Sequence, residues 1–292
     1  MGVKKWVLIR RSVQIFILLL FLSPLLLTWN TVPGQEITPF IQFHGSLASS
    51  EIFGIELSDP FAALQVTLAS KAIHWEYISS AFIIFSLYFL LSGRVFCSWV
   101  CPVNTILETT DKLRKFMTLP DKKFQRTTKI KWMVFILILS FAAGIPVYEL
   151  FTPTNNVMRN ILFLWGIGIF LLIAITLFDL LVSKRGWCRY FCPLGGFYHS
   201  IGKFGLFRVR VNPEKCVTCR KCQAVCFADP VILEEAITKK IHIVKDGDCS
   251  LCGACSDICP TDAIEIGFRF TGNKQSGNKQ TDVLKRTPVT KM

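Results

Sequence analysis

The chain has 292 residues, of which 51% are apolar and 18% charged, with a mean hydropathy of +0.45. That balance excludes a disordered chain and argues against a purely soluble globular one. Thirty-three basic residues against 20 acidic ones give a net charge of +13, and twelve cysteines are present. This is too few cysteines for a disulfide scaffold and too many to be incidental.

Four uncharged stretches follow in chain order: Val13–Trp29, Tyr77–Gly93 and Trp132–Tyr148, of 17 residues each, and Asn160–Phe178, of 19. At about 1.5 Å per helical residue, 17 residues reach roughly 26 Å, slightly short of a ~30 Å hydrocarbon layer. Glu76, Arg94, Lys131 and Asp179 are therefore expected at the interface. The expected spans are 10–30, 75–95, 131–150 and 160–182. Trp29, Trp75, Trp132 and Trp165 lie at or near their ends, as an aromatic belt places them.

The cations follow this pattern. Residues 1–12 hold four, residues 94–131 nine and residues beyond 182 eighteen, whereas 30–76 and 149–159 hold one each, Lys71 and Arg159. By the positive-inside rule both termini are expected in the cytoplasm, and the basicity is topological, so a nucleic-acid partner is not expected. The first span has no small-residue cleavage site around Leu25–Trp29 and reads as a retained anchor. The outer loop 30–76, with Glu36, Glu51, Glu56, Asp59 and the apolar run Pro60-Phe61-Ala62-Ala63-Leu64, is expected to lie on the membrane or contact a partner. Asp179 is expected to pair with Lys184 or Arg185. The polar tail, 269–292, is expected to be disordered.

All twelve cysteines fall into four groups. Two have the form Cys216-x2-Cys219-x2-Cys222-x3-Cys226 and Cys249-x2-Cys252-x2-Cys255-x3-Cys259-Pro260. Three thiolates at three-residue steps wrap one cubane while the fourth departs to a second. Cys216, Cys219, Cys222 and Cys259 are thus expected to hold one [4Fe–4S] cluster, and Cys249, Cys252, Cys255 and Cys226 the other. Zinc favours separated Cys-x2-Cys pairs, and disulfides do not suit the cytoplasmic side. The two upstream groups are Cys97-x3-Cys101-Pro102 and Cys188-x3-Cys192-Pro193, each after a span and each behind a Gly/Arg-rich approach. Their repetition predicts two related hairpins about a pseudo-twofold axis, with four convergent thiols at the membrane boundary as an additional redox or metal site.

Residues 208–268 resemble the bacterial-type two-cluster ferredoxins, with short strands expected at Ile241–Val244 and Ala263–Ile266. The usual proline after the fourth cysteine is displaced here by Phe227-Ala228-Asp229. With the four spans, the paired Cys-x3-Cys-Pro groups and the stretch Asp59–Gln65, nearly the whole chain resembles the NapH-type, NosR-related membrane polyferredoxins. The resemblance implies an α-helical membrane protein: a four-helix transmembrane domain over 1–207 and a C-terminal α+β ferredoxin domain over 208–268, in a bacterial inner membrane. It implies a quinol dehydrogenase component that passes electrons from membrane quinol to a periplasmic iron–sulfur partner of the NapG type, and onward to nitrate reductase. The alternative is a CcoG-type factor for copper reduction and oxidase assembly, although those proteins carry a further C-terminal β domain. Proton acceptors for a quinol site are His74, Glu76 and Glu149, with His suited by its free pKa near 6.5. His199, beyond Cys192-Pro193, is placed near the inner site, and His44 and His242 have no ligand-like companions.

Overall fold

The computed structural model describes residues 5–29, 43–45, 49–52, 55–117, 119–157 and 167–270. It is mostly helical. A long helix α1 (Lys5–Trp29) precedes a small antiparallel meander of β1 (Phe43–Gly45), β2 (Ser49–Ile52) and β3 (Ile55–Ser58). Helix α2 (Pro60–Ser70) follows at once. Its N-terminus is built by Asp59, whose carboxylate accepts the Ala62 N–H, with Pro60 in the first turn. Lys71 ends it in the left-handed region (φ 52°).

Helices α3 (Trp75–Leu91), α6 (Thr128–Ala143) and α8 (Ile167–Leu181) are almost wholly apolar. Among the described residues no single helix is long and apolar enough to cross a membrane. The third stretch differs from the expected continuous span. Gly144 (φ 69°) stops α6, and the chain turns by 113° into residues 147–157, which begin with α7 (Val147–Phe151). The first half of the fourth stretch, the Trp165 position and the 271–292 tail lie outside the described residues.

Each Cys-x3-Cys-Pro group makes the same break. The first runs through one short helix, α4 (Val95–Trp99), and the second through a π-helical turn, Trp187–Phe191. In both, the second cysteine leaves the helix and the following proline opens a new one, α5 (Pro102–Met117) or α9 (Pro193–Gly202). The cysteine at position 192 caps its own helix, its sulfur accepting the Gly195 N–H.

The apolar run of the loop expected to lie on the membrane or contact a partner packs against the chain's own helices. Helix α2 packs between α3 and α6. Gln65 is fully buried and accepts from the Tyr148 N–H at 3.0 Å. Phe61 stacks edge-on with Tyr148 (5.5 Å between centroids) and against Phe197. One apolar core thus holds Phe61, Tyr88, Phe96, Leu107, Tyr148 and Tyr198 together with the upstream cysteines.

The C-terminal unit pairs β4 (Phe207–Val211) with β5 (Ile264–Phe268) in antiparallel register, Val209 opposite Ile266. The second expected strand, Ile241–Val244, is reduced to a single bridge between Ile243 and Arg210. Short helices α10 (Lys221–Ala224), α11 (Glu234–Thr238) and α12 (Ala254–Ile258) complete it. Its core is lined by the downstream cysteines, and Val95 and Cys97 pack against it from the helical part.

Candidate iron–sulfur sites

Cys216, Cys219, Cys222 and Cys259 line one hollow at the far surface of the C-terminal unit, with Cys219 exposed. The set therefore combines the first three cysteines of one motif with the last of the other. Cys226, Cys249, Cys252 and Cys255 form the second set: each thiol lies within electrostatic range of the other three. Cys222 of the first set reaches Cys255 of the second in the same way. Burial pushes Cys226 and Cys249 up to about 12. Without a cation these thiols keep their protons, and metal binding would release them.

The upstream cysteines also converge. Cys97, Cys101, Cys188 and Cys192 interact electrostatically in every pairwise combination, although 91 residues separate the two groups. Desolvation by burial pushes Cys101, Cys188 and Cys192 upward. All twelve thiols are free.

Spacing tests what these sets fit. Tetrahedral ligation at about 2.3 Å places sulfurs about 3.8 Å apart around a single zinc ion. Among the described residues no three thiols lie within 4.8 Å of one another. The donor sets are all sulfur, the ligand type that holds iron–sulfur clusters. Among the described residues, the tight group of ligand-type atoms, His199, Asp246 and Asp248, is already filled with cations. Asp248 accepts from Arg94 (2.6 Å), Arg126 (2.9 Å) and Lys129, and His199 Nδ1 lies 3.0 Å away. These partners hold the Asp248 carboxyl far below the usual carboxylate range despite its burial.

Two arginines, each three residues before the first cysteine of its group, reach across to the other group. Arg94 donates across to the Cys188 carbonyl at 3.0 Å, and Arg185 donates across to Asn104 at 2.9 Å, just beyond Cys101-Pro102. Arg185 also pairs with Asp111. Asp179 makes no close ion pair with Lys184 or Arg185 among the described residues, though Arg185 lies within electrostatic range; its carboxylate accepts the Trp187 N–H at 2.9 Å and shapes the second cysteine turn.

Of the expected proton acceptors, His74 and Glu76 stay exposed at the start of α3. Glu149 is half-buried, accepts from Asn155 at 3.0 Å and senses the charge of Asp59. His199 belongs to the Asp248 network rather than to the thiols. His242 is exposed, and the side chain of His44 lies outside the described residues. Sequence reading missed Asp59 and Tyr198. Tyr198, buried in the core that also holds the upstream cysteines, donates to the half-buried Asp59 at 2.7 Å. Burial raises the Asp59 carboxyl to about 6. Tyr148 brings its hydroxyl to 3.8 Å from Cys192 Sγ. The signal that could have found Asp59 was its place as an Asp-Pro helix start inside a loop otherwise read as external.

Cysteine sets of this spacing on a mostly helical scaffold define an iron–sulfur protein of the ferredoxin type. A family model described as a 4Fe-4S binding domain matches residues 73–120 and again 161–212, one match on each upstream cysteine group, and a second 4Fe-4S binding domain model matches 242–265. The chain is 34% identical to the methylamine utilization ferredoxin-type protein MauN of Methylorubrum extorquens, over 91% of this chain and 90% of that one. It is 35% identical to MauN of Methylobacillus flagellatus (92% and 93%), and 32% identical to the ferredoxin-type protein NapH of Escherichia coli (93% and 92%). No solved structure matches. The chain belongs to the NapH and MauN family of ferredoxin-type proteins, and its role is iron–sulfur electron transfer.

Proposed function

We propose that this chain is the membrane-embedded electron-transfer subunit of a quinol dehydrogenase. Residues 1–207 form its transmembrane domain, with spans near 10–30, 75–95 and 160–182 and a third that is broken at Gly144, Thr128–Ala143 followed by 147–157, and 208–268 its cytoplasmic ferredoxin domain. What supports the bilayer is outward apolar surface on all four helices, for example Phe16 (66% exposed), Phe82 (65%), Ile138 (62%) and Phe170 (68%). So much exposed hydrocarbon requires a cover, and lipid supplies one.

In this reading Cys216, Cys219, Cys222 and Cys259 hold one [4Fe–4S] cluster, and Cys226, Cys249, Cys252 and Cys255 a second. Cys97, Cys101, Cys188 and Cys192 hold a third centre. Such centres accept and release single electrons. The observation that carries the reading is the position of Cys97. It packs both against the core of the ferredoxin unit and among the four upstream thiols, so the three sulfur-rich sites are contiguous. Segments 59–70 and 147–157 pack into the helical part, where Tyr148 lies 3.8 Å from Cys192 Sγ and Asp59 bonds Tyr198 at 2.7 Å. Asp59, with Tyr198 as its hydrogen-bond partner, is the group placed to accept a proton released by a quinol, and its carboxyl value suits proton transfer near neutrality. His74 and Glu76 serve at most at the outer rim.

The electrons would pass to an iron–sulfur partner of the NapG type and on to a periplasmic nitrate reductase. The test is anaerobic reduction by a quinol analogue in membranes containing that partner, followed by EPR and iron counting. Twelve irons per chain, three clusters of four, and quinol-dependent reduction are expected. Eight irons would empty the upstream site, and an absence of cluster reduction would end the quinol assignment. Transfer to a methylamine-oxidising partner alone would replace the nitrate branch.

A further inference from the structure

A cavity of about 360 Å³ opens where the start of α1, helix α5, the turn after α8 and the ferredoxin unit meet. Its wall carries six cations, Arg10, Arg11, Lys112, Lys115, Lys184 and Arg185, against three carboxylates. Those carboxylates are already engaged. Glu108 takes Arg10 and Arg11 at 3.1 and 2.8 Å, Asp111 takes Arg185, and Asp257 accepts the backbone N–H groups of Trp6 and Val7 at 3.2 and 2.9 Å. Lys112, Lys115 and Lys184 keep no ion pair among the described residues. Arg10 is 4% exposed, and its Nε has no hydrogen-bond partner. Beside the cavity, on the same helices as these cations, Leu8, Leu113 and Phe116 stand 63%, 49% and 87% exposed.

We propose that this cavity binds a phosphate-bearing anion, supplied by the headgroup of an acidic phospholipid. Concentrated positive charge with its local acids spent needs a counter-anion. Apolar side chains at its flank match acyl chains rather than water, and basic pockets on the cytoplasmic side of helical bundles recognise such headgroups. The bound lipid would tie α1 and α5 to the ferredoxin unit, since Cys226 and Phe227 form part of the same wall. The inference does not depend on the electron donor or acceptor, and failure of the quinol assignment leaves it standing.

The test uses the full chain, purified with its iron, and native mass spectrometry of lipid retained in detergent. Phosphatidylglycerol is expected to be retained over phosphatidylcholine. Each lysine near such a surface contributes about fivefold, so the Lys112→Ala/Lys115→Ala/Lys184→Ala variant should lose that preference on the order of a hundredfold. Its iron content should be unchanged. Lys184→Gln, which keeps most of the aliphatic stem, should show about a fivefold loss. Equal retention of the two lipids, or an unchanged preference in both variants, overturns the site. Displacement of the lipid by millimolar inorganic phosphate assigns the cavity to free phosphate and overturns the lipid source.

Discussion

Asp248 joins the two halves of the molecule through one side chain. It is 2% exposed, and three cations from two different segments of the helical part converge on it, with Arg94 and Lys129 each only 1% exposed. Removing one partner of such a set leaves the others as uncompensated buried charge, which typically costs about 3–5 kcal/mol. Asp248→Ala is therefore expected to lower the unfolding temperature and to open the junction to protease, whereas removing the exposed Lys239–Glu235 pair, which follows surface behaviour, should change neither. Asp59 gives a pH-dependent counterpart. Its folded value of about 6 stands above its ordinary 3.8, so the folded state holds its proton longer than the unfolded chain does. Wild-type stability then declines as pH rises from about 4 through 6. Asp59→Asn, which keeps an acceptor for Tyr198, should match wild type near pH 4 and exceed it in thermal stability at pH 8.

At the scale of elements, close approaches fix how the hairpins meet. A Cβ at Gly93 would run into the Tyr198 carbonyl and sit 2.7 Å from the Gly202 nitrogen, so α9 can lie against the end of α3 only over glycine. Gly93→Ala should cost about 1–3 kcal/mol or more, seen as lowered expression and melting temperature. Phe227-Ala228-Asp229, which displaces the usual proline in the first ferredoxin motif, acquires a purpose in the fold. Arg185 stacks on Phe227 at 4.3 Å, Arg189 donates to the Ala228 carbonyl at 2.8 Å, and Asp229 caps the turn that Pro230 begins. The three residues form one contact between the ferredoxin unit and the second cysteine hairpin. Arg189→Ala is expected to raise hydrogen exchange around 226–230 without altering the exchange of β4 and β5.

For the molecule as a whole, the ferredoxin unit is a structural part of the helical assembly rather than a tethered accessory. Ser98 donates to the Ser250 carbonyl at 2.8 Å and Trp99 to that of Leu251 at 3.3 Å, so the first cysteine hairpin grips the second ferredoxin motif directly. Deleting residues 208–270 should strip Arg94 and Lys129 of Asp248 and Arg189 of the Ala228 carbonyl, and uncover the apolar surface that the unit packs on. The truncated chain is expected to accumulate poorly in cells, while the same deletion in a protein joined by a free linker would be tolerated.

The cysteine sets, the four apolar stretches and the repeat of the upstream hairpins were legible in the sequence, because ligand chemistry and helix period are local properties written in residue spacing. The crossed grouping of Cys226 and Cys259 was expected from spacing, since three-residue steps leave the fourth thiol pointing away, and the fold brings the same thiols near one another. The inward path of 59–70, the turn at Gly144 and the partners of Asp179 and Arg185 were decided only by tertiary structure. An Asp-Pro helix start reads alike on a surface loop and inside a bundle. A buried ion pair forms between whichever charges the packing desolvates together, and for Arg185 and Asp111 those lie 74 positions apart.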